Sequence, residues 1–406
     1  MFLKLAFRNI TATGKRSSVT LLLTSITTAL LVFSSAWMDG SHFTMIQNAV
    51  EIYPGYIQIT EKDFRANPSF DHLIFDASII ERKLAENDAI ALYSARFESF
   101  VLFSVDEKAV GGMLAGIEPE KEKYLSRLFS SLREGEYLSV DDTNQLYIGS
   151  ELAKRLQLEV GDEVAFIGNG ADYSFAADNL IVKGVFQTGL FDFDASSAFL
   201  NKGYFDQIMA AENTATHFIV LPKRLDQAEQ LAVAIGADLG SQYQSASWNQ
   251  TMAALVKAMK LDSFFGYITL GIIFIVIFFV IMIYTLLAVF ARIHEIGILR
   301  AIGTTPKQIL IQLVLESSML AFISVLIGGL LGGSLAYYFS LHPIVFSGME
   351  EQFKQYGLAA SEMPTAFMPL TILRDMTVMF VLSVLSTLYP ILRVNRFKPI
   401  EAIHHV

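Results

Sequence analysis

Residues 292–308, RIHEIGILRAIGTTPKQ, form a short charged segment between two long apolar stretches of the chain. Ile293 and Ile296 share one stripe at helical spacing, as in a short amphipathic helix. Gly303 suits the position just after a helix, and residues 305–308 carry Thr, Pro and Gln in the order of a capping box. We therefore predict a separate short helix in the turn between two membrane spans.

The composition of the whole chain indicates a membrane protein. Its 406 residues are 53% hydrophobic and only 17% charged, with a mean hydropathy of +0.44. An ordinary soluble protein of this length is less apolar. A membrane span needs about 20 mostly apolar residues. We predict one transmembrane helix in each of four stretches, 19–37, 264–291, 309–340 and 368–392.

The basic residues beside the spans predict their orientation, because Lys and Arg near a span stay on the cytoplasmic side. They precede the first span, lie within 292–308 and follow the fourth span. Both termini are therefore predicted to be cytoplasmic, and residues 38–263 to lie outside. Residues 38–264 contain 33 Asp and Glu against 18 Lys and Arg, a net charge of −15. Such an acidic domain argues against a nucleic-acid-binding surface.

Residues 1–18 are open to two interpretations. In FLKLAFRNI the apolar residues fall at helical spacing on one face, which predicts a helix lying in the cytoplasmic interface and a retained first span. Alternatively, Lys15-Arg16, the apolar run and Ser34-Ser35-Ala36 together have the form of a cleaved signal peptide.

The external segment is long enough for its own core, and we predict an α+β domain on stalk helices. Helical patterning continues past the first span and resumes near residue 249, before the second span. Strand-like and helix-like stretches alternate between these stalks. The predicted parts are an outer α/β lobe at 39–130 and 200–262, a strand-rich insert at 131–199, a second external loop at 341–367 and a cytoplasmic tail at 393–406.

Motifs of catalysis or metal binding are missing from the sequence. It contains no phosphate-binding GxxxxGK[ST] loop, and HEIGI at 294–298 lacks the second His of a zinc site. His404 and His405 at the tail are interpreted as solvated residues rather than metal ligands. The acidic residues Asp141, Asp142, Asp192 and Asp194 are interpreted as turn residues. We predict no catalytic, cofactor or metal site on this chain.

Several motifs resemble the type VII ABC-transporter permeases, which include the LolC/LolE lipoprotein-releasing permeases, MacB-type efflux pumps and FtsX. The segment 292–309 is similar to their coupling-helix signature. GSELAKRLQLEVGDEVAFI at 149–167 and LIVKGVFQTGLFDFDASSAFL at 180–200 resemble the insert subdomain of the Lol-type branch. FKPIEAIHH at 397–405 resembles their closing segment, and the four-span layout is also theirs.

The resemblance implies a role for particular residues. In these permeases the coupling helix seats in a groove of a separate cytoplasmic ATPase dimer. The residues that match its pattern here are Glu295, Gly297, Arg300, Ala301 and Gly303. ATP and Mg would be bound by that partner. Pro399, Glu401 and Ala402 match the tail motif, whereas Phe397-Lys398 and His404-His405 depart from it.

Family members also dimerise through their spans, with a second permease that is identical or a paralogue. Two overlapping GxxxG pairs in the third span suit either such a dimer or packing within one subunit; they comprise Gly328, Gly329, Gly332 and Gly333. Glu316, an ionisable residue in the same span, is interpreted as structural or interfacial rather than substrate-binding.

The implied function is mechanical transmission from the ATPase to the external domain. In the Lol-type branch this releases lipoproteins from the bacterial inner membrane to a periplasmic chaperone, and the stretch GVFQTGLFDFD at 184–194 favours that branch. The alternatives are MacB-like efflux and FtsX-like activation of a cell-wall hydrolase. A membrane receptor with an external ligand-binding domain would explain the topology but not the coupling helix.

Overall fold

The computed structural model describes residues 14–345, 348 and 362–394. These residues form two compact units. The helical unit contains the described residues up to 44, 259–345 and 362–394, and the sheet unit contains 45–258. The predicted interfacial helix before residue 14, most of the second external loop and the tail motif lie outside the described residues.

Twelve α-helices are present in the described chain. In order they are α1 Gly14–Ile52, α2 Ala77–Ala85, α3 Pro119–Leu125, α4 Ser150–Leu156, α5 Phe191–Asp194, α6 Lys202–Ile208, α7 Ala228–Leu239, α8 Trp248–Thr251, α9 Ala253–Phe290, α10 Ile293–Ala301, α11 Pro306–Leu341 and α12 Pro369–Val394. By length and composition α1, α9, α11 and α12 can cross a membrane. The predicted fold class, four spans with a large mixed domain after the first, is confirmed.

The span helices extend beyond the predicted apolar stretches. The helix α1 continues to Ile52, as the patterning after the first span predicted. Before the second span the helix is not continuous from residue 249, because the backbone leaves helical geometry at Met252. The predicted capping box is confirmed, since the Thr305 hydroxyl accepts the Gln308 amide and the Gln308 side chain accepts the Thr305 amide.

Glycines allow α11 to approach α1 closely within the same chain. A Cβ atom at Gly328 would lie 2.4 Å from the carbonyl oxygen of Ser25, and one at Gly332 would lie 2.6 Å from that of Ala29. These contacts are with backbone atoms, which cannot rotate away. Gly329 faces the Met376 side chain of α12, whereas Gly333 would only reach ordinary contact with Ile372 at 3.7 Å. In this structure Gly328, Gly329 and Gly332 therefore lie against helices of the same chain.

The sheet unit contains a large sheet of ten strands, and four short strands form two separate pairs. The bounds are β1 Ile57–Glu61, β2 Ile74–Phe75, β3 Ile90–Val105, β4 Lys108–Ile117, β5 Leu132–Gly135, β6 Gln145–Gly149, β7 Glu163–Asn169, β8 Phe175–Phe186, β9 Ser197–Asn201, β10 Thr214–Ala215, β11 His217–Pro222, β12 Tyr243–Ser247, β13 Ile344–Val345 and β14 Glu362–Met363. The large sheet has the order β12-β1-β11-β3-β4-β9-β6-β8-β5, and β7 bridges β3 and β8.

The long strand β3 belongs to two substructures. Its first half pairs with β11 and completes a four-stranded sheet with β1 and β12, over a core that includes α2 and α7. Its second half joins a closed circuit of pairings, β3-β4-β9-β6-β8-β7, around a separate apolar core. The predicted insert limits, 131–199, leave out β4 and this half of β3.

Candidate functional site

The short helix α10 occupies the predicted position between the second and third spans. Its inner face is anchored by Ile296, which packs in a small buried cluster with Val289 of α9, Ile309 of α11 and Ile391 of α12. The helix ends at Ala301, and two residues later Gly303 adopts φ +104, the left-handed conformation that a glycine permits after a helix. The sequence thus produces a capped helix held at one end of the span bundle.

The five predicted coupling residues do not share one face. The Glu295 side chain is 68% exposed, and Ala301 and Gly303 are also exposed. Gly297 is buried and Arg300 is half-buried. Glu295, Ala301 and Gly303 are therefore available for a contact, whereas Gly297 is not accessible.

Three apolar residues on the outer side of α10 were not among the predicted site residues. Ile298, Leu299 and Ile302 are exposed, and Ile302 is 77% accessible. Exposed apolar side chains beside a charged residue are typical of a protein-binding surface. The sequence signal was present, because Ile298 and Ile302 share one helical stripe.

Arg292 links α10 to the third span. Its Nη1 donates to Oε1 of Glu316 at 2.7 Å, and its Nε donates to Oε2 of Glu295 at 3.2 Å. The Arg292 and Glu316 side chains are 19% and 15% exposed. The prediction that Glu316 serves structure or the interface now has a specific partner.

A cavity of about 100 Å³ lies beside this ion pair. Helices α1, α9, α11 and α12 all contribute to its wall. The hydroxyl groups that line it belong to Thr20, Thr24, Thr285, Ser317, Ser324, Ser383 and Thr387. A cavity of this volume and polarity suits water rather than a large substrate.

The sheet unit contains a buried ion pair that the sequence did not predict. Arg96 and Glu122 are both fully buried and make a two-bond contact, and the Arg96 Nη1 also donates to the Tyr53 carbonyl at 2.6 Å. The guanidinium carbon lies 3.8 Å from the centre of the Tyr53 ring. This cluster joins α3, β3 and the end of α1 and has no opening to a substrate, so we assign it a structural role.

Asp142 and Asp194, both predicted as turn residues, have carboxyl groups that accept several hydrogen bonds. Burial acts to raise the pKa of Asp142, but hydrogen bonds from Lys183 and Ser139 outweigh it and lower the pKa. Burial raises the pKa of Asp194, which accepts bonds from Thr188 and Gly189. Asp192 and Asp194 lie in the short helix α5, so the prediction that they are turn residues is wrong.

One group in the described chain has the ligand types of a metal site. Ligand atoms of Glu61, Asp63 and His72 lie within 4.8 Å of one another. However, His72 Nδ1 is already 3.2 Å from Glu61 Oε2, which also accepts the Asp63 amide at 2.9 Å. Glu61 and His72 thus contact each other directly.

Comparison with known proteins agrees with this arrangement. Residues 267–399, which include most of α9 and all of α10, α11 and α12, match the model of the FtsX-like permease C-terminal family. LolC of Xylella fastidiosa strain 9a5c, named as a lipoprotein-releasing system transmembrane protein, is 23% identical over 310 residues, or 74% of each chain. LolC of strain Temecula1 matches to the same extent.

Two solved domains also match part of the chain. The extracellular domain of the ABC-type transporter YknZ from Gram-positive bacteria is 15% identical and covers 48% of this chain and all of that one, with a TM-score of 0.35. The periplasmic region of MacB from Actinobacillus actinomycetemcomitans is 14% identical and covers 52% and 97%, with a TM-score of 0.37. The family match and the LolC relatives confirm the resemblance to the type VII permeases.

Proposed function

We propose that this ABC transporter permease of the FtsX and LolC type transmits the work of a separate cytoplasmic ATPase to its external domain. The observation that supports the proposal best is α10: a capped helix outside the span stretches, with an exposed carboxylate at Glu295 and exposed apolar side chains at Ile298 and Ile302. A turn that only joined two spans would not need such a surface.

The partner would be an ATPase dimer that binds ATP and Mg and seats α10 in a groove. The exposed residues Ile298 and Ile302 would fill the apolar part of that groove, and Glu295 would meet a basic residue at its rim. ATP would act by favouring one arrangement of the permease over another, since coupling requires different binding free energies in two states. A second permease, identical or a paralogue, would complete the complex.

The proposed work is release of lipoproteins from the outer leaflet of the bacterial inner membrane, with delivery to a periplasmic chaperone. The support is the similarity to two LolC proteins over 74% of the chain. Both termini would then be cytoplasmic and the sheet unit periplasmic. Mass spectrometry of the purified complex tests this assignment, since copurified lipidated proteins would support it. A bound cell-wall hydrolase or an efflux partner would point to the FtsX-like or MacB-like alternatives.

Variants of α10 test the coupling role. We expect Glu295→Lys and Ile302→Asp to abolish copurification of the ATPase, because disrupting an interfacial charge contact alone can cost ~2–5 kcal/mol. Lys223→Glu, an exposed charge change in the sheet unit, is the matched control and should leave ATPase binding unchanged. Normal ATPase binding by both α10 variants would contradict the proposal, and the absence of any ATPase from the unmodified complex would favour a receptor.

A further inference from the structure

Arg292 is placed where movement of α10 must be transmitted. It is the residue just before α10 and follows the last turn of α9. Its guanidinium contacts Glu316 of α11 and, three residues along the chain, Glu295 of α10. One side chain therefore connects the second span, the short helix and the third span.

The two carboxylate partners are in different surroundings. Glu316 is 15% exposed, so its contact with Arg292 is shielded from water and strong. Glu295 is 68% exposed, so its contact is weakened by solvent. In this structure Arg292 is consequently held mainly by Glu316.

Glu316 also has a way of remaining solvated without Arg292. Its second oxygen, Oε2, is buried and has no hydrogen-bond partner among the described residues, and the same holds for Oγ of Ser383, which is 2% exposed. Both residues line the hydroxyl-rich cavity of about 100 Å³. Such a cavity has room for about three water molecules, which would bond these two groups and the threonine hydroxyls.

We propose that the Arg292–Glu316 pair is a latch that holds α10 against the span bundle and opens during the transport cycle. Movement of α10 carries Arg292 away from Glu316, and Arg292 then keeps only the exposed Glu295. Water in the cavity solvates the released Glu316 carboxylate, which would otherwise be stranded in a low-dielectric setting. Arg292 and Glu316 are positioning residues, and this role rests on the proposed function.

Conservative variants of the latch separate coupling from binding. Glu316→Gln removes the charge and keeps the side-chain shape. We expect the variant to bind the ATPase as the unmodified protein does and to hydrolyse ATP, while cargo released per ATP falls by ~10-fold, within the range of known coupling effects. The charge swap Arg292→Glu with Glu316→Arg should restore release to within ~3-fold, because it re-forms the ion pair with its charges reversed. The remaining deficit comes from repulsion between position 292 and Glu295, which is weak because Glu295 is exposed.

The position of α10 relative to the span bundle can be measured independently of transport. The chain has no cysteine, so single cysteines at His294 of α10, which is exposed and has no role in the proposed ATPase contact, and at exposed Leu392 of α12 allow a pair of spin labels. In the complex without nucleotide, the distance distribution should be narrow for the unmodified latch, broader for Glu316→Gln and narrow again for the charge swap.

The outcomes decide the proposal. Native release per ATP by Glu316→Gln overturns the latch, as does a charge swap that restores neither release nor the narrow distribution. If Glu316→Gln does not accumulate in the membrane, the swap decides alone, and a swap without release overturns it. These failures differ from failure of the proposed function, in which no ATPase binds the unmodified protein.

Discussion

Alanine at Gly328 or Gly332 is expected to destabilise the packing of α11 on α1. The added Cβ would lie 2.4 Å from the Ser25 carbonyl oxygen in the first case and 2.6 Å from the Ala29 carbonyl oxygen in the second. Real Cβ atoms essentially never approach so closely, and the obstacle is backbone of a neighbouring helix. One of the two helices must therefore move.

The expected loss of stability is obtained by comparing Gly→Ala variants at different positions. Every Gly→Ala change inside a helix gains about 0.5–1 kcal/mol of helix stability, so this gain cancels between variants. Overpacking then costs about 1–3 kcal/mol at Gly328 and Gly332. Gly333→Ala, on the same helix with its nearest contact at 3.7 Å, and Gly271→Ala on α9, with nothing within 4 Å, are the matched controls.

Thermal unfolding of the purified protein in detergent measures the difference. Each kcal/mol corresponds to about 2–4 °C for a unit of this size. Gly328→Ala and Gly332→Ala should unfold below the two controls by several degrees, and the dimer content, read by light scattering, should not change in parallel. If these variants unfolded at the same temperature as the controls but formed fewer dimers, packing within one subunit would be refuted, and the glycines would be assigned to the contact with a second permease.

Three further predictions concern single interactions. Arg96→Met should destabilise the protein by about 3–5 kcal/mol in equilibrium unfolding, because Glu122 stays buried without its partner; Arg96→Met with Glu122→Leu should recover most of that loss. Burial raises the pKa of Asp206 to about 6, although Lys202 acts to lower it. The folded protein therefore holds this proton more tightly than the unfolded chain does. The resulting stabilisation is complete below the ordinary pKa of 3.8 and is lost as the pH rises through about 6. Asp206→Asn should flatten the decline of unfolding temperature between pH 4 and 7, and an unchanged profile would contradict this pKa. Thr305→Ala should lower stability by about 1 kcal/mol, and no change in unfolding temperature would mean that the cap contributes nothing.

The membrane part was predictable because its signals are local. Long apolar runs fix the four spans, and Thr305 with Gln308 fixes the start of α11, since a capping box needs only four consecutive residues. The partner helix of each glycine in the third span was not predictable. Whether Gly328 meets α1 or another subunit depends on which helix lies beside it, and the sequence does not encode that contact in any short pattern.

The sheet unit shows where local patterning fails. KAVGGMLAGI forms β4 although its glycines and alanines disfavour strands, because Gly111 lies under the Phe100 ring and Gly116 under that of Phe205. EKEKYLSRLFSSL has helical character throughout, yet α3 ends at Leu125, and the Arg127 side chain instead binds Glu51 and Asn48. These outcomes depend on distant residues.

The Arg292–Glu316 pair illustrates the same limit at the candidate site. Both residues stand out in the sequence as charges beside apolar runs, but they are 24 positions apart and on different helices. Their contact depends on the angle between α9 and α11. The spacing of Ile298 and Ile302 places them on one face of the helix, but an apolar stripe ordinarily predicts burial, and their exposure is seen only in the structure.

The position of β1 in the sheet has a consequence for biosynthesis. The strands of the closed circuit all lie between residues 97 and 201, and the last buried residue of its core is Ala211, so that part can fold once residue 211 has been made. Strand β1 is made earlier, but its two neighbours, β11 and β12, end only at Pro222 and Ser247. For roughly 160 residues of translation its edges have no partner and can pair with other chains. A ribosome that stalled just before residue 217 would therefore leave β1 unpaired and prone to aggregation, although the closed circuit had already folded.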